Sequence, residues 1–135
     1  MRVEERLAAF EEQPHTRGKG ALGEDVAVDI LRELGYEILE RNVHVRGGEL
    51  DAVARHEGVL CFVEIKVRSS DEFGRALEAV TEQKRRRIVR AATMYLAIHD
   101  IREPLCRFDV LGVDRTEAGW QVTLVQDAFT VDGLF

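Results

Sequence analysis

No apolar run in the sequence approaches the ~18–20 residues needed to cross a bilayer. The opening residues, MRVEERLAAFEEQPHTRG, mix acids with bases and contain no apolar h-region, so they are not expected to act as a signal peptide. Cysteine is scarce. Cys61 and Cys106 lie far apart, each in an apolar run. Buried reduced thiols of a cytoplasmic protein are the expectation, with a lone disulfide the alternative. The histidines His15, His44, His56 and His99 are scattered without metal-ligand spacing. Gly18, Gly20 and Gly23 follow no strand and precede no phosphate-binding lysine, so a nucleotide P-loop is not supported. There is no serine or cysteine nucleophile motif. Internal repeats and low-complexity segments are also absent.

What is present is the material for one domain. The 135 residues are 45% hydrophobic and 33% charged, enough for a single core and unlike a disordered chain. The net charge of −6 argues against a global attraction to nucleic acid. A local basic patch exists all the same: Lys84, Arg85, Arg86, Arg87 and Arg90.

Residues 1–12 suit a short helix with Leu7 and Phe10 as its apolar contacts, and Gln13 to Lys19 a linker. Residues 1–16 are therefore taken as an accessory extension, and 17–135 as the domain. From Gly20 to Leu34 the residues Leu22, Val26, Ala27, Ile30, Leu31 and Leu34 follow helical spacing, and Gly35 supplies a stop. Tyr36 to Val43 predicts a first strand, broken by Gly47-Gly48. Residues 49–56 and 59–67 predict two more, joined by a turn at Glu57-Gly58. Ser69 to Gly74 reads as loop. Thr81 is the expected N-cap of a helix reaching about Ile98, with Ile88, Ala91, Ala92, Tyr95 and Leu96 inward. Strands near 105–113 and 119–126 follow, with a turn from Val113-Asp114 to Gly119. The order is α-β-β-β-α-β-β, an α/β arrangement best buried as a sheet of about five strands with helices on both faces.

A two-residue loop at Glu57-Gly58 sets the register of the second and third strands. Asp51 then faces Glu64, and Glu49 faces Lys66. Because side chains alternate along a strand, all four project from one face. Like charges directly opposed across two strands are destabilising. The flanking run Val59-Leu60-Cys61-Phe62-Val63 marks a buried strand, where an uncompensated charge costs several kcal/mol. A divalent cation such as Mg²⁺, held by carboxylates and completed by water and phosphate oxygens, resolves that cost. Lys66 is placed to stabilise a phosphate or orient the attacking water. The bland alternative is an ion-pair network with a Glu49–Lys66 cross-strand bridge.

The run Gly48-Glu49-Leu50-Asp51, followed by Phe62-Val63-Glu64-Ile65-Lys66-Val67-Arg68, resembles the bacterial YraN family of uncharacterised proteins. Supporting blocks are Gly20-Ala21-Leu22-Gly23-Glu24, Asn42, Lys84, Ala92, Tyr95 and Arg107-Phe108-Asp109, together spanning about residues 17–135. That family is grouped with the PD-(D/E)XK, restriction-endonuclease-like nucleases and is related to Holliday-junction resolvases. The resemblance implies a three-layer α/β/α fold with a mixed central sheet. It gives Asp51 the motif's aspartate role and Glu64 and Lys66 its (D/E)XK pair, with Glu24 as an added acid at a Mg²⁺ or Mn²⁺ site. Leu50 stands where the motif has proline. Glu24 also has a plainer reading, an acid in a helix's first turn complementing its dipole.

The cations from Lys84 to Arg90 open a helix, where they oppose its dipole, while the helix N-terminus itself favours anions such as phosphate. With Arg68 and Arg75 they outline a surface for a nucleic-acid backbone. The plainer reading is a solvated face partly paired with Glu78 and Glu82. Trp120, Phe129 and Tyr95 read as core or edge aromatics. The expected function is metal-dependent cleavage of DNA, branched or otherwise structured, with a homodimer suited to a symmetric junction. The alternatives are a non-catalytic nucleic-acid-binding or partner-binding module and a purely structural scaffold.

Overall fold

A computed structural model describes residues 19–68, 76–102 and 105–130. The expectations for residues 1–16, Ser69–Gly74 and Arg75 fall outside these residues.

Helix α1 (Lys19–Glu33) begins one residue before the predicted start. It ends as the sequence suggests. Gly35 adopts φ +95°, the Tyr36 N–H donates to the Leu31 carbonyl and the Gly35 N–H to that of Arg32, which satisfies the last turn. Strands β1 (Glu37–Val45), β2 (Gly48–His56) and β3 (Val59–Arg68) follow. A single 3₁₀ turn (Ala76–Ala79) leads to helix α2 (Glu82–Ile98), then to β4 (Cys106–Thr116) and β5 (Gly119–Phe129). Both Glu57 and Gly58 have positive φ, as a two-residue hairpin loop with the right-handed twist of its strands requires.

The five strands form one mixed sheet in chain order. Neighbours are antiparallel except β3 and β4, which run parallel and are joined through α2. Two apolar clusters cover the two faces. On one, Ala27, Ile30 and Leu31 of α1 meet Ala52, Ala54, Cys61, Val63, Leu111 and Val113. On the other, Val89, Ala92 and Tyr95 of α2 meet Val53, Leu60, Phe62, Phe108, Val110 and Phe129. Tyr95 and Phe129 are thus core aromatics; Trp120 packs half-buried against the α1 side. No disulfide joins the cysteines; Cys61 is buried but Cys106 is half-buried, shallower than its apolar run suggests.

The last two strands run longer than the hydrophobic pattern indicates. β4 continues through Asp114, Arg115 and Thr116, so the turn is confined to Glu117 and Ala118. Polar residues extend these strands because each β4 residue there pairs with β5: Asp114 with Gln121, Arg115 with Trp120. β5 likewise reaches Phe129, whose ring stacks on Phe108 at 5.0 Å. No helix among the described residues is long and apolar enough to cross a membrane.

Candidate active site

The hairpin register is the expected one. Ala52 pairs with Val63, Val53 with Phe62 and His56 with Val59. The regular ladder stops at Ala52–Val63, one pair short of Asp51 and Glu64. There the Asp51 carboxylate replaces the backbone partner: its Oδ2 accepts the Ile65 N–H at 2.8 Å. Alternation also breaks at this point. Leu50 packs with Val53 on the α2 side, although strict period-two spacing would place it with Ala52.

Glu64 continues the Leu60–Phe62 series on the α2 face, in the carboxyl-terminal half of β3, and is only 4% exposed. Asp51 lies within hydrogen-bond reach of it. Burial, and then the Asp51 charge, push the Glu64 carboxyl up to about 7, against the pull of Lys84 and Lys66. Lys66 Nζ stands 3.8 Å from Glu64 Oε1. Lys84 Nζ stands closer, at 3.4 Å from the same oxygen. The predicted trio of Asp51, Glu64 and Lys66 is therefore assembled, with a second lysine that strand spacing could not supply.

Lys84 arrives through the capping of α2. The Thr81 hydroxyl accepts the Lys84 N–H at 3.2 Å, as an N-cap should. Gly48 lets the helix come close. A Cβ there would stand 3.2 Å from the Arg87 carbonyl oxygen and 3.3 Å from Ala91 Cβ. The helix terminus is thus seated directly on the hairpin carrying Asp51.

Two expectations are corrected. Glu49 does not serve Lys66: it pairs with His44 of β1, its Oε1 3.1 Å from His44 Nδ1, and its side chain is 69% exposed. β1, on the other side of β2, offers it the His44 ring as a partner. Glu24 is not in the first turn of its helix, because α1 starts at Lys19 and has no acid in that turn. The dipole explanation for Glu24 is thereby removed. Its carboxyl is raised by burial and by the charge of Asp51, which places it electrostatically beside the hairpin. Among the described residues, however, no three His, Cys, Asp or Glu side chains are grouped to hold a metal. The acids brought into contact are Asp51 and Glu64.

The basic helix divides into unequal parts. Arg85 turns inward, its Nε donating to the Val80 carbonyl at 3.1 Å and its guanidinium lying 5.7 Å from the Phe129 ring centre. Arg86 pairs with Glu82 one turn back at 2.8 Å. Arg87 and Arg90 are exposed. Arg68 is half-buried at the end of β3, on the strand face of Glu64 and Lys66.

A second polar cluster went unread in the sequence. Asp109 is fully buried on the α1 face of β4. It accepts the Tyr36 hydroxyl at 2.6 Å, Arg107 Nη2 at 2.8 Å and the Asp127 N–H at 2.9 Å. Arg107 also donates to His56 Nδ1 at 3.0 Å, and Gln126 to the Tyr36 oxygen at 3.1 Å. Burial and the bond to Asp109 push Tyr36 up to about 12. The signal was available: a lone acid in the apolar run Phe108 to Leu111 is the same cue that singled out Glu64. This cluster is closed on itself, whereas Glu64 and its lysines lie toward the strand ends where ligands of open α/β sheets bind.

The model of the uncharacterised protein family UPF0102 matches residues 23–113. A UPF0102 protein of Symbiobacterium thermophilum is 44% identical over 115 residues, covering 84% of this chain and 98% of its own. One from Chlorobium phaeobacteroides is 48% identical over 100 residues, 74% of this chain and 78% of that protein. One from Mycolicibacterium smegmatis is 51% identical over 96 residues, 70% and 77% respectively.

Proposed function

Starting from its membership of the uncharacterised family UPF0102, we propose that this chain is a cytoplasmic metal-dependent nuclease of the restriction-endonuclease-like type. Its three-layer α/β/α arrangement would then be that of the PD-(D/E)XK enzymes named above for the YraN resemblance, and its substrate DNA with branched or otherwise structured regions. The observation carrying this reading is the contact of Asp51 with the buried Glu64, both held beside Lys66. The Asp51 charge raises the proton affinity of the buried Glu64, and a hard divalent cation would relieve that repulsion.

Asp51 and Glu64 fit Mg²⁺ or Mn²⁺ as oxygen donors, with Glu24 near enough to add its charge. When bound, the ion would polarise the phosphoryl oxygen and acidify a water. The hydrogen bond from the Ile65 N–H fixes Asp51 Oδ2 and so orients the carboxylate that would help hold the ion. Lys66 meets the negative charge that grows on the scissile phosphate. Lys84, Arg87 and Arg90 take the flanking backbone.

The test is cleavage of duplex, nicked and branched DNA with Mg²⁺ or Mn²⁺. Asp51→Asn and Lys66→Ala should each lower the rate about 100-fold or more, the scale of a lost charge-stabilising group. Clean protein that cuts none of these substrates, or variants that cut as well as the parent, would overturn the reading. A second reading has its own observation: two lysines already offset Glu64. A binding module built on this ion-pair network would hold DNA equally well after Asp51→Asn and would show no Asp51-dependent uptake of Mn²⁺ by calorimetry.

A further inference from the structure

Beside the β1–β2 turn, away from Glu64, lies a groove of about 340 Å³. Arg46 and Gly47 of the turn form one wall, and Arg90, Thr93, Met94 and Ala97 of α2 the other. The volume falls within the range of small-ligand sites. Its lining surface is almost wholly apolar, the Thr93 hydroxyl being turned to the Val89 carbonyl, and two arginines stand among the lining residues. No acid lines it. Both arginines are exposed.

A row of cations along α2 runs from the candidate site to the groove. Lys84, Arg87 and Arg90 follow one another at three-residue spacing, which sets them along one side of the helix, with Met94 and Ala97 continuing the row. Lys84 touches Glu64, and Arg90 enters the groove about 9 Å further along the axis. A strand whose phosphates follow these cations arrives at an apolar slot flanked by the exposed Arg46 and Arg90. A base still stacked in a duplex cannot fill such a slot, whereas an unpaired base presents a face that packs on apolar side chains and on arginine.

We propose that this groove binds an unpaired nucleotide of the DNA strand held along α2, so that the preferred substrate is duplex with an adjoining single-stranded or splayed segment. The inference rests on the reading of α2 as the DNA-binding face. Charge complementarity and continuity with the Lys84–Arg90 row choose this occupant over a peptide or a neutral ligand.

The test is fluorescence anisotropy of the full chain, with chelator present to prevent cleavage. Three DNAs are compared: a blunt duplex, the same duplex with an unpaired tail, and one whose tail is abasic. The tailed duplex should bind about tenfold more tightly than the blunt one, the scale of one stacked base. The abasic tail should lose that advantage. Ala97→Glu and Arg90→Ala, both at exposed positions, should also erase it, with melting by circular dichroism unchanged and Ala97→Glu binding blunt duplex within about twofold of the parent. Equal binding of blunt and tailed DNA overturns the proposal, as does an abasic tail that binds like the intact one or an Ala97→Glu variant that keeps the preference. Loss of Asp51-dependent cleavage with the tail preference intact overturns the nuclease reading and supports the groove. Failure to bind any of the three DNAs overturns both.

Discussion

Glu64 ties the stability of this molecule to pH because its ordinary value of 4.5 is raised to about 7 when the chain folds. Between those values the folded state keeps a proton that the unfolded chain has released. The folded state binds more protons there, so stability falls as pH rises through that window. Melting of the metal-free protein should show this decline, and Glu64→Gln should flatten it. A Glu64→Gln profile parallel to the parent's would assign the pH dependence to another group. Added Mn²⁺ should restore stability more at pH above the window than below it, because the ion needs the ionised carboxylate. Thiol chemistry gives a separate check. Burial and the nearby Asp109 push Cys61 up to about 11, so iodoacetamide should label the half-buried Cys106 well before Cys61. Peptide mapping after brief exposure reads the order directly.

At the scale of elements, the seat of α2 on the β1–β2 hairpin decides whether Lys84 reaches Glu64. Gly48→Ala would press a methyl against the Arg87 carbonyl and Ala91, at a cost of about 1–3 kcal/mol for overpacking. Thermal melting should register that cost. DNA cleavage should fall further than the lost stability explains, since Lys84 is shifted from the acid it touches. Equal loss from Gly48→Ala and from a stability-matched core variant such as Val53→Ala would refute this coupling. Hairpin register, the Thr81 cap and the Gly35 stop were legible in the sequence because each is a local device: a loop of fixed length, a side chain bonding its own helix, a glycine at positive φ. Lys84's contact was not, because side-chain reach between separate elements leaves no trace in spacing. Glu49 was misassigned for a related reason: residue alternation names a face but cannot say which neighbouring strand supplies the partner. The ends of β4 were misjudged because Asp114 to Thr116 are held by pairing with β5 rather than by their own hydrophobicity.

At the scale of the whole molecule, two polar clusters divide the labour. The Asp109 cluster ties together the residue before β1, the end of β2, the start of β4 and the end of β5, through Tyr36, His56, Arg107 and Gln126. Asp109→Asn would leave Arg107 without its counter-charge and should cost about 3 kcal/mol, lowering the melting temperature by about 10 °C. DNA affinity at low temperature should be unaffected, which separates this cluster from the candidate site. On the proposed reading, the net charge of −6 disfavours DNA elsewhere and leaves the cations of α2 to hold it. With Lys84, Arg87 and Arg90 as the contacting cations, affinity should fall with salt at a logarithmic slope of about −2 to −3. A steeper slope would bring in further cations, Arg46 and Arg68 first.

The parallel seam between β3 and β4 has a consequence for how the chain assembles. β1, β2 and β3 close through short local turns, and so do β4 and β5, but the seam joins residues some 46 positions apart, as Leu60 with Cys106. Such non-local pairing carries the larger loop-closure entropy and forms late. The acid pair is complete within the β2–β3 hairpin, whereas its Lys84 counter-charge arrives only when the crossover helix docks. The repulsion between Asp51 and Glu64 therefore opposes the early stage of folding and is relieved in the late one, and a divalent cation present from the start should accelerate refolding measured by stopped flow.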